Sequence, residues 1–109
     1  MEPLPHELRA QIPTLDRTRR EADPTVWVKF FSPFFNWRWY IIECEKIDQI
    51  LIFYGWMVHS AEPGGRFIRS DLTSMRAYFG ITIERDAEFV ACRLSEVRQR
   101  EAESEPQKE

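Results

Sequence analysis

The residue types that build common metal and redox sites are scarce in this chain of 109 residues. It has only two histidines, His6 and His59, and neither has a histidine, a cysteine or an acidic cluster at metal-ligand spacing. Its two cysteines, Cys44 and Cys92, lie far apart, so two buried thiols in a reducing compartment are favoured over a disulfide. The sequence therefore predicts no metal site and no cofactor.

Long apolar runs and excess basic charge are also missing. No run approaches the roughly 20 residues of a membrane span, and charged residues and prolines interrupt the stretch where a signal peptide would be apolar. We therefore expect a cytoplasmic protein with no membrane contact. The net charge of −3 argues against a domain that mainly neutralises phosphates, so a nucleic-acid partner is possible but not favoured.

Nucleophile and phosphate motifs are absent as well. The serines lack a nucleophile-elbow context, and Gly64-Gly65 lacks the lysine and the strand-to-helix setting of a phosphate loop. Glu43, Glu45 and Asp48 would form an acid/base set only if the fold moved their pKa values apart. No catalytic residue is predicted, and the balance is against an enzyme.

What the chain does have is a concentration of aromatic residues between Val26 and His59, which contains all four tryptophans. Three segments there have the β-branched and aromatic content of strands, namely 25–31, 37–44 and 50–58. Residues 45–49 form the polar connection between the last two. Strands joined so closely predict an antiparallel meander in which Trp37, Trp39, Ile41 and Glu43 share one face, with Arg38, Tyr40, Ile42 and Cys44 on the other.

The next part of the chain predicts a turn, a short strand and a helix. Glu62-Pro63-Gly64-Gly65 has the composition of a turn, and residues 66–69 can form a fourth strand. A helix follows at residues 71–79, with Ser70 as its N-cap and Gly80 as its C-cap. An extended segment around residues 81–90 and a short amphipathic turn near Leu94 and Val97 complete the ordered part.

Together these elements predict an α+β domain, in which a small antiparallel sheet of about four to five strands packs against one main helix, with short terminal helical turns. The domain covers residues 25–97. Residues 1–24 form an N-terminal arm with a short helical turn, and residues 98–109 form a disordered charged tail because they contain no large apolar residue. The arm carries Arg17, Arg19 and Arg20, which fit either a solvated linker or contact with an acidic partner.

Four segments make the chain resemble a known bacterial family. They are ELRAQIP (7–13), VKFFSPFFNWRWY (28–40), GGRFIRSDLTSMR (64–76) and GITIERDAEF (80–89). In this order and spacing they resemble the domain of unknown function 2958 family, whose members are commonly carried on plasmids and other mobile elements. The resemblance implies a small cytoplasmic α+β domain in a mobile-element setting, and it supplies no activity or catalytic residues.

A candidate binding surface follows from alternation along the strands. Trp37 and Trp39 are either core residues or interface anchors, whereas Arg38 and Tyr40 point the other way and could join Arg66 and Arg69 in an exposed basic and aromatic patch. The favoured hypothesis is a non-catalytic protein-interaction module of a mobile element that acts on a host or defence protein not yet identified. The alternative is a small enzyme or a nucleic-acid-processing accessory protein.

Overall fold

Helices at both ends of the chain flank a run of long strands. The computed structural model describes residues 4–59, 62–79 and 82–104. In chain order the elements are α1 (His6–Arg9), β1 (Thr25–Val26), β2 (Val28–Phe31), β3 (Trp37–Ile47), β4 (Ile50–His59), β5 (Glu62–Asp71), α2 (Leu72–Phe79), β6 (Glu84–Arg85), β7 (Cys92–Arg93) and α3 (Leu94–Ser104).

The main sheet has five antiparallel strands in the spatial order β5-β4-β3-β2-β6. Consecutive strands β2 to β5 are neighbours, which confirms the predicted antiparallel meander and the α+β class. A separate pair, β1 with β7, lies outside this sheet. The predicted strand 25–31 is therefore divided, with Val26 pairing to Cys92 and the residues from Val28 onward pairing to β3.

The β3–β4 hairpin is longer than predicted. Its strands stay paired as far as Ile47 and Ile50, so the connection is the two residues Asp48 and Gln49 rather than residues 45–49. Both residues have positive φ, 50° and 68°. Such a turn matches the right-handed twist of the strands and allows pairing to continue up to the turn itself.

A β-bulge in β3 changes the predicted alternation of side chains. Ile41 pairs with Gly55 and Glu43 pairs with Tyr54, so Ile42 is an extra residue between them. Cys44 consequently joins the core cluster of Trp39 and Ile41, instead of sharing a face with Arg38 and Tyr40 as predicted. Glu43 leaves the face of the tryptophans for the same reason.

The predicted turn at residues 62–65 is instead the beginning of β5. Gly65 has φ of 66°, and a Cβ atom placed there would lie 2.4 Å from Nε1 of Trp56. Glycine is needed because it alone tolerates both this conformation and this close approach. The prediction was wrong because glycine also serves irregular strands that pass close to a large side chain.

Apolar side chains bury both faces of the sheet. On one face, which we call the α2 face, Trp39, Phe30 and Phe53 pack with Leu72 and Met75 of α2. On the opposite α3 face the buried residues are Val26, Tyr40, Ile42, Trp56, Val58, Leu94 and Val97. The expected packing against one main helix is therefore wrong, since α2 covers only one face and α3 covers part of the other.

The predicted helix at 71–79 is confirmed within one residue, but its cap differs. The Ser74 amide donates a 3.1 Å hydrogen bond to Oδ2 of Asp71, so Asp71 takes the N-cap role that was assigned to Ser70. Hydrogen bonding to the Ser74 side chain, and to a lesser degree to its amide, lowers the pKa of the Asp71 carboxyl. The predicted Gly80 cap and Ile81 lie outside the described residues, and within the described part of that segment, residues 82–90, only Glu84–Arg85 forms a strand.

The tail expected to be disordered from residue 98 is helical as far as Ser104. Its helix begins where Ser95 donates hydrogen bonds to Asp23, 2.8 Å from the amide and 2.7 Å from the hydroxyl. Glu101, 7% exposed, is buried against the sheet. Composition alone missed this helix because a buried ionic contact, rather than an apolar stripe, holds its second half.

Candidate functional site

Two of the predicted binding residues make internal contacts on the α3 face. Arg38 binds Glu101 through two hydrogen bonds, Nε to Oε2 at 2.6 Å and Nη2 to Oε1 at 2.8 Å. The Tyr40 hydroxyl donates to the same carboxylate. Burial, followed by the neighbouring Glu101, raises the pKa of Tyr40, so the phenol keeps its proton. Arg38 and Tyr40 therefore hold α3 on the sheet.

Arg66 lies on the other side of the sheet. It pairs with Met57 across β4 and β5, which places it on the α2 face, whereas Arg69 pairs with Tyr54 on the α3 face. The Arg66 guanidinium donates to both carboxylate oxygens of Glu62, at 2.8 and 2.7 Å. The arginines at 38, 66 and 69 consequently do not form the single patch that was predicted.

Arg69 borders a concavity with a volume of about 500 Å³. It lies on the α3 face between the N-terminal arm, the edge of the sheet and the start of α3. We call this concavity the sheet groove. The described residues that line it are Asp16, Thr18, Arg19, Glu21, Ala22, Pro24, Ile42, Glu43, Tyr54, Phe67, Ile68, Arg69, Leu94 and Arg98.

The N-terminal arm forms one wall of the sheet groove because Glu43 holds it in place. The buried Glu43 carboxylate accepts hydrogen bonds from the amides of Asp16 (2.8 Å) and Thr18 (2.9 Å), and from the Thr18 hydroxyl. Nearby, the Leu15 amide donates to Glu45 at 3.1 Å. The arm is therefore fixed to β3 rather than being a solvated linker.

Replacing Glu43 with glutamine should loosen this wall. The amide oxygen of glutamine can accept some of the three hydrogen bonds, but its NH₂ group faces donors and leaves at least one buried donor unsatisfied, at a cost of about 1–3 kcal/mol. Urea denaturation measures the loss in free energy of unfolding, with Glu45→Gln as the milder control. Equal stability of Glu43→Gln and the wild type would contradict the assigned role of Glu43.

The charged side chains on the lining of the sheet groove are balanced in number, three arginines (Arg19, Arg69 and Arg98) against three carboxylates (Asp16, Glu21 and Glu43). Asp16 accepts a 2.9 Å hydrogen bond from Arg69 and lies 3.6 Å from the Arg19 guanidinium, so two arginines share one carboxylate. Arg98 stands 5.3 Å over the Trp56 ring and forms no ion pair within the described ranges. Of the three carboxylates, Asp16 is paired with Arg69 and Arg19 and Glu43 is bound to the arm, which leaves the exposed Glu21.

An aromatic pair lies beside these charges. The rings of Tyr54 and Phe67 are parallel within 10°, with centroids 5.8 Å apart, and Phe67 is 47% exposed. The Tyr54 hydroxyl makes no hydrogen bond to the part of the chain that the structure describes. Desolvation raises its pKa, so it remains a neutral donor. The sheet groove thus offers guanidinium donors, one phenol and a flat apolar surface.

A second cavity, of about 430 Å³, lies on the α2 face beyond the same edge strand. We call it the Trp37 cavity. The rings of Trp37 and His59 stack in it, 4.2 Å apart, and the buried side chains of Met57 and Met75 line it. Arg66 and Ser70 reach it from β5. Its lining is therefore more apolar than that of the sheet groove.

The described residues contain no group of three or more histidine, cysteine or acidic side chains placed to hold a metal ion. Cys44 and Cys92 are free thiols; Cys44 is buried as predicted, whereas Cys92 is only half-buried, and burial raises the pKa of Cys44 to about 11. A thiol with this pKa stays protonated near neutral pH and is a poor nucleophile. Among the helices described, none combines the length and apolarity needed to cross a membrane.

Comparison with known proteins identifies the family. The chain belongs to the family described as protein of unknown function (DUF2958), which it matches over residues 3–105. The resemblance seen in the four sequence segments is thereby confirmed. Neither a curated protein nor a solved structure matches the chain significantly.

Sequence reasoning found Arg69 but missed most of the surface around it. Arg98 was placed in the expected tail, and Arg19 had an equally good explanation as part of a linker. Glu43 was the one available signal, because a carboxylate in the middle of an apolar strand requires hydrogen-bond donors from elsewhere in the chain. Those donors come from residues 25 and 27 positions earlier, which no local pattern reveals.

Proposed function

We propose that this protein is a non-catalytic interaction module whose sheet groove binds an acidic segment of another protein. The observation that supports this proposal is the position of Arg19, Arg69 and Arg98 around the stacked Tyr54–Phe67 pair. Guanidinium groups form strong paired hydrogen bonds with carboxylates, and aromatic rings give contact area at little entropic cost. An acidic segment with one apolar anchor satisfies both.

The contacts of the arm and of α3 support a preformed site. Glu43 fixes the arm, while Glu101 fixes α3 through Arg38 and Tyr40. The two walls therefore stand in place before any ligand arrives, which lowers the entropic cost of binding. The role of Arg38 and Tyr40 in this proposal is to support the site rather than to touch the partner.

Selection from a random dodecapeptide display library tests the proposal. The wild type should enrich peptides rich in Asp and Glu with an apolar residue among them. Reversing two groove charges, Arg69→Glu with Arg98→Glu, should weaken the binding of those peptides by at least about 100-fold, since each of the two charge-assisted hydrogen bonds lost contributes about 1.5–3 kcal/mol. Fluorescence anisotropy measures the change, and affinity should fall with added salt.

The matched control is Arg17→Glu with Arg20→Glu. These exposed residues lie on the N-terminal arm but do not line the sheet groove. Their reversal changes the net charge by the same amount as the reversal of Arg69 and Arg98. This control should leave the affinity within about threefold of wild type, because it alters only long-range electrostatic interactions that salt screens. Equal loss in both variants, or selection of single-stranded oligonucleotides in preference to acidic peptides, would contradict the proposal.

The biological setting is proposed from the family resemblance. The module is expected to act in the cytoplasm as part of a plasmid or other mobile element, on a host or defence protein. Affinity capture from a bacterial lysate, with the same two charge variants, should recover a protein that depends on Arg69 and Arg98. Recovery that survives their reversal would place the partner elsewhere on the surface.

A further inference from the structure

Between the sheet groove and the Trp37 cavity runs β5, the outermost strand on its side of the sheet. It spans ten residues, and within the described ranges it pairs only with β4. From Phe67 to Arg69, no backbone hydrogen bond to another described element covers its outer side. An exposed strand edge of this kind is a template for an added strand.

Alternation along β5 connects this edge to both concavities. Phe67 and Arg69 line the sheet groove on the α3 face, whereas Arg66 and Ser70 line the Trp37 cavity on the α2 face. Successive side chains of an added strand would likewise point to opposite faces, with a period of two residues. One extended segment can therefore place alternate side chains into two cavities at once.

We propose that the partner segment binds as an extra strand on β5, with acidic side chains toward the sheet groove and apolar side chains toward the Trp37 cavity. This inference rests on the proposed function and specifies its binding mode. The acidic positions meet Arg69, with Arg19 and Arg98 nearby, and the apolar positions meet the side of the sheet where Met57 and Met75 lie.

Charge selects this occupant over a second copy of the chain. Arg66 and Arg69 project to opposite faces of the edge strand, with side chains about half exposed. Each already has a carboxylate partner, Glu62 for Arg66 and Asp16 for Arg69, and residues 63–70 of a second copy contain no acidic residue that could add another. An acidic strand supplies carboxylates to the half-exposed Arg69 and to Arg98, which forms no ion pair within the described residues.

The test uses the strongest acidic peptide selected from the display library and a set of analogues, each with one N-methylated residue. N-methylation removes a single backbone donor. Peptides methylated at the alternate positions whose amides face β5 should therefore bind about tenfold or more weakly, because each loses one hydrogen bond. The intervening positions should change less than about twofold. Binding should also slow hydrogen exchange at the amides of residues 67–69 in the full-length protein.

The outcomes separate this inference from the proposed function. If charge reversal at Arg69 and Arg98 abolishes binding but N-methylation has no alternating effect, strand addition is wrong and the sheet groove still binds acidic segments. If no acidic peptide is enriched, both are wrong. Concentration-dependent dimerisation that protects residues 67–69 without peptide would show that β5 pairs with a second copy, which also contradicts strand addition by a partner.

Discussion

Replacing Glu101 with alanine is expected to destabilise the protein by about 3–5 kcal/mol, because it leaves a buried ionic group without its partner. The side chain of Arg38 is only 17% exposed, and both it and the Tyr40 hydroxyl bind this one carboxylate. Without the carboxylate, the Arg38 guanidinium and the Tyr40 hydroxyl lose their shared hydrogen-bond acceptor at the contact between α3 and the sheet. Urea denaturation followed by circular dichroism gives the free energy of unfolding.

Two variants sharpen this prediction. Glu103→Ala removes an exposed carboxylate from the same helix and should change stability by less than about 0.5 kcal/mol. The double variant Glu101→Met with Arg38→Met replaces the ion pair with apolar side chains and should recover much of the loss. A Glu101→Ala protein as stable as wild type would show that residues 98–104 do not pack on the sheet.

The second large effect is expected at Trp39, which is fully buried among Phe30, Ile41 and Met57 on the α2 face. Trp39→Ala should cost about 3–5 kcal/mol, since truncating a buried aromatic residue loses burial and leaves a cavity. Phe34→Ala is the matched control, because Phe34 is 79% exposed and its truncation should change stability by less than about 0.5 kcal/mol. Similar denaturation midpoints for the two variants would contradict the assigned core.

The strands could be predicted from the sequence because local composition determines them. The aromatic and β-branched residues of 25–59 favour extended structure wherever they pair, and helix 72–79 has a capping residue and an apolar stripe at helical spacing. Two of the errors fall at irregular points of the sheet, namely the extra residue Ile42 and Gly65 with its positive φ. Each reflects packing against a neighbouring strand, which local composition does not encode.

The candidate site could be predicted only in part, for a different physical reason. Alternation correctly placed Arg38 and Tyr40 on one face, but it could not show that Glu101, more than 60 positions later, accepts from both. Because residues 98–109 were predicted to be disordered, Glu101 was not expected to contact Arg38, and Arg38 was predicted to be exposed. Buried ionic contacts between distant segments thus decide which arginines are structural and which, like Arg69, border a groove.

The most direct test of the binding site is an amide chemical-shift titration of the ¹⁵N-labelled protein with the selected acidic peptide. The sheet groove predicts the largest shifts at Arg19, Tyr54 and residues 67–69, with little change at the hairpin turn around Asp48. The surface offers other exposed apolar residues, including Phe34, Phe35, Ile47 and Ile50. Shifts concentrated at those residues, with the groove unchanged, would contradict the proposed site.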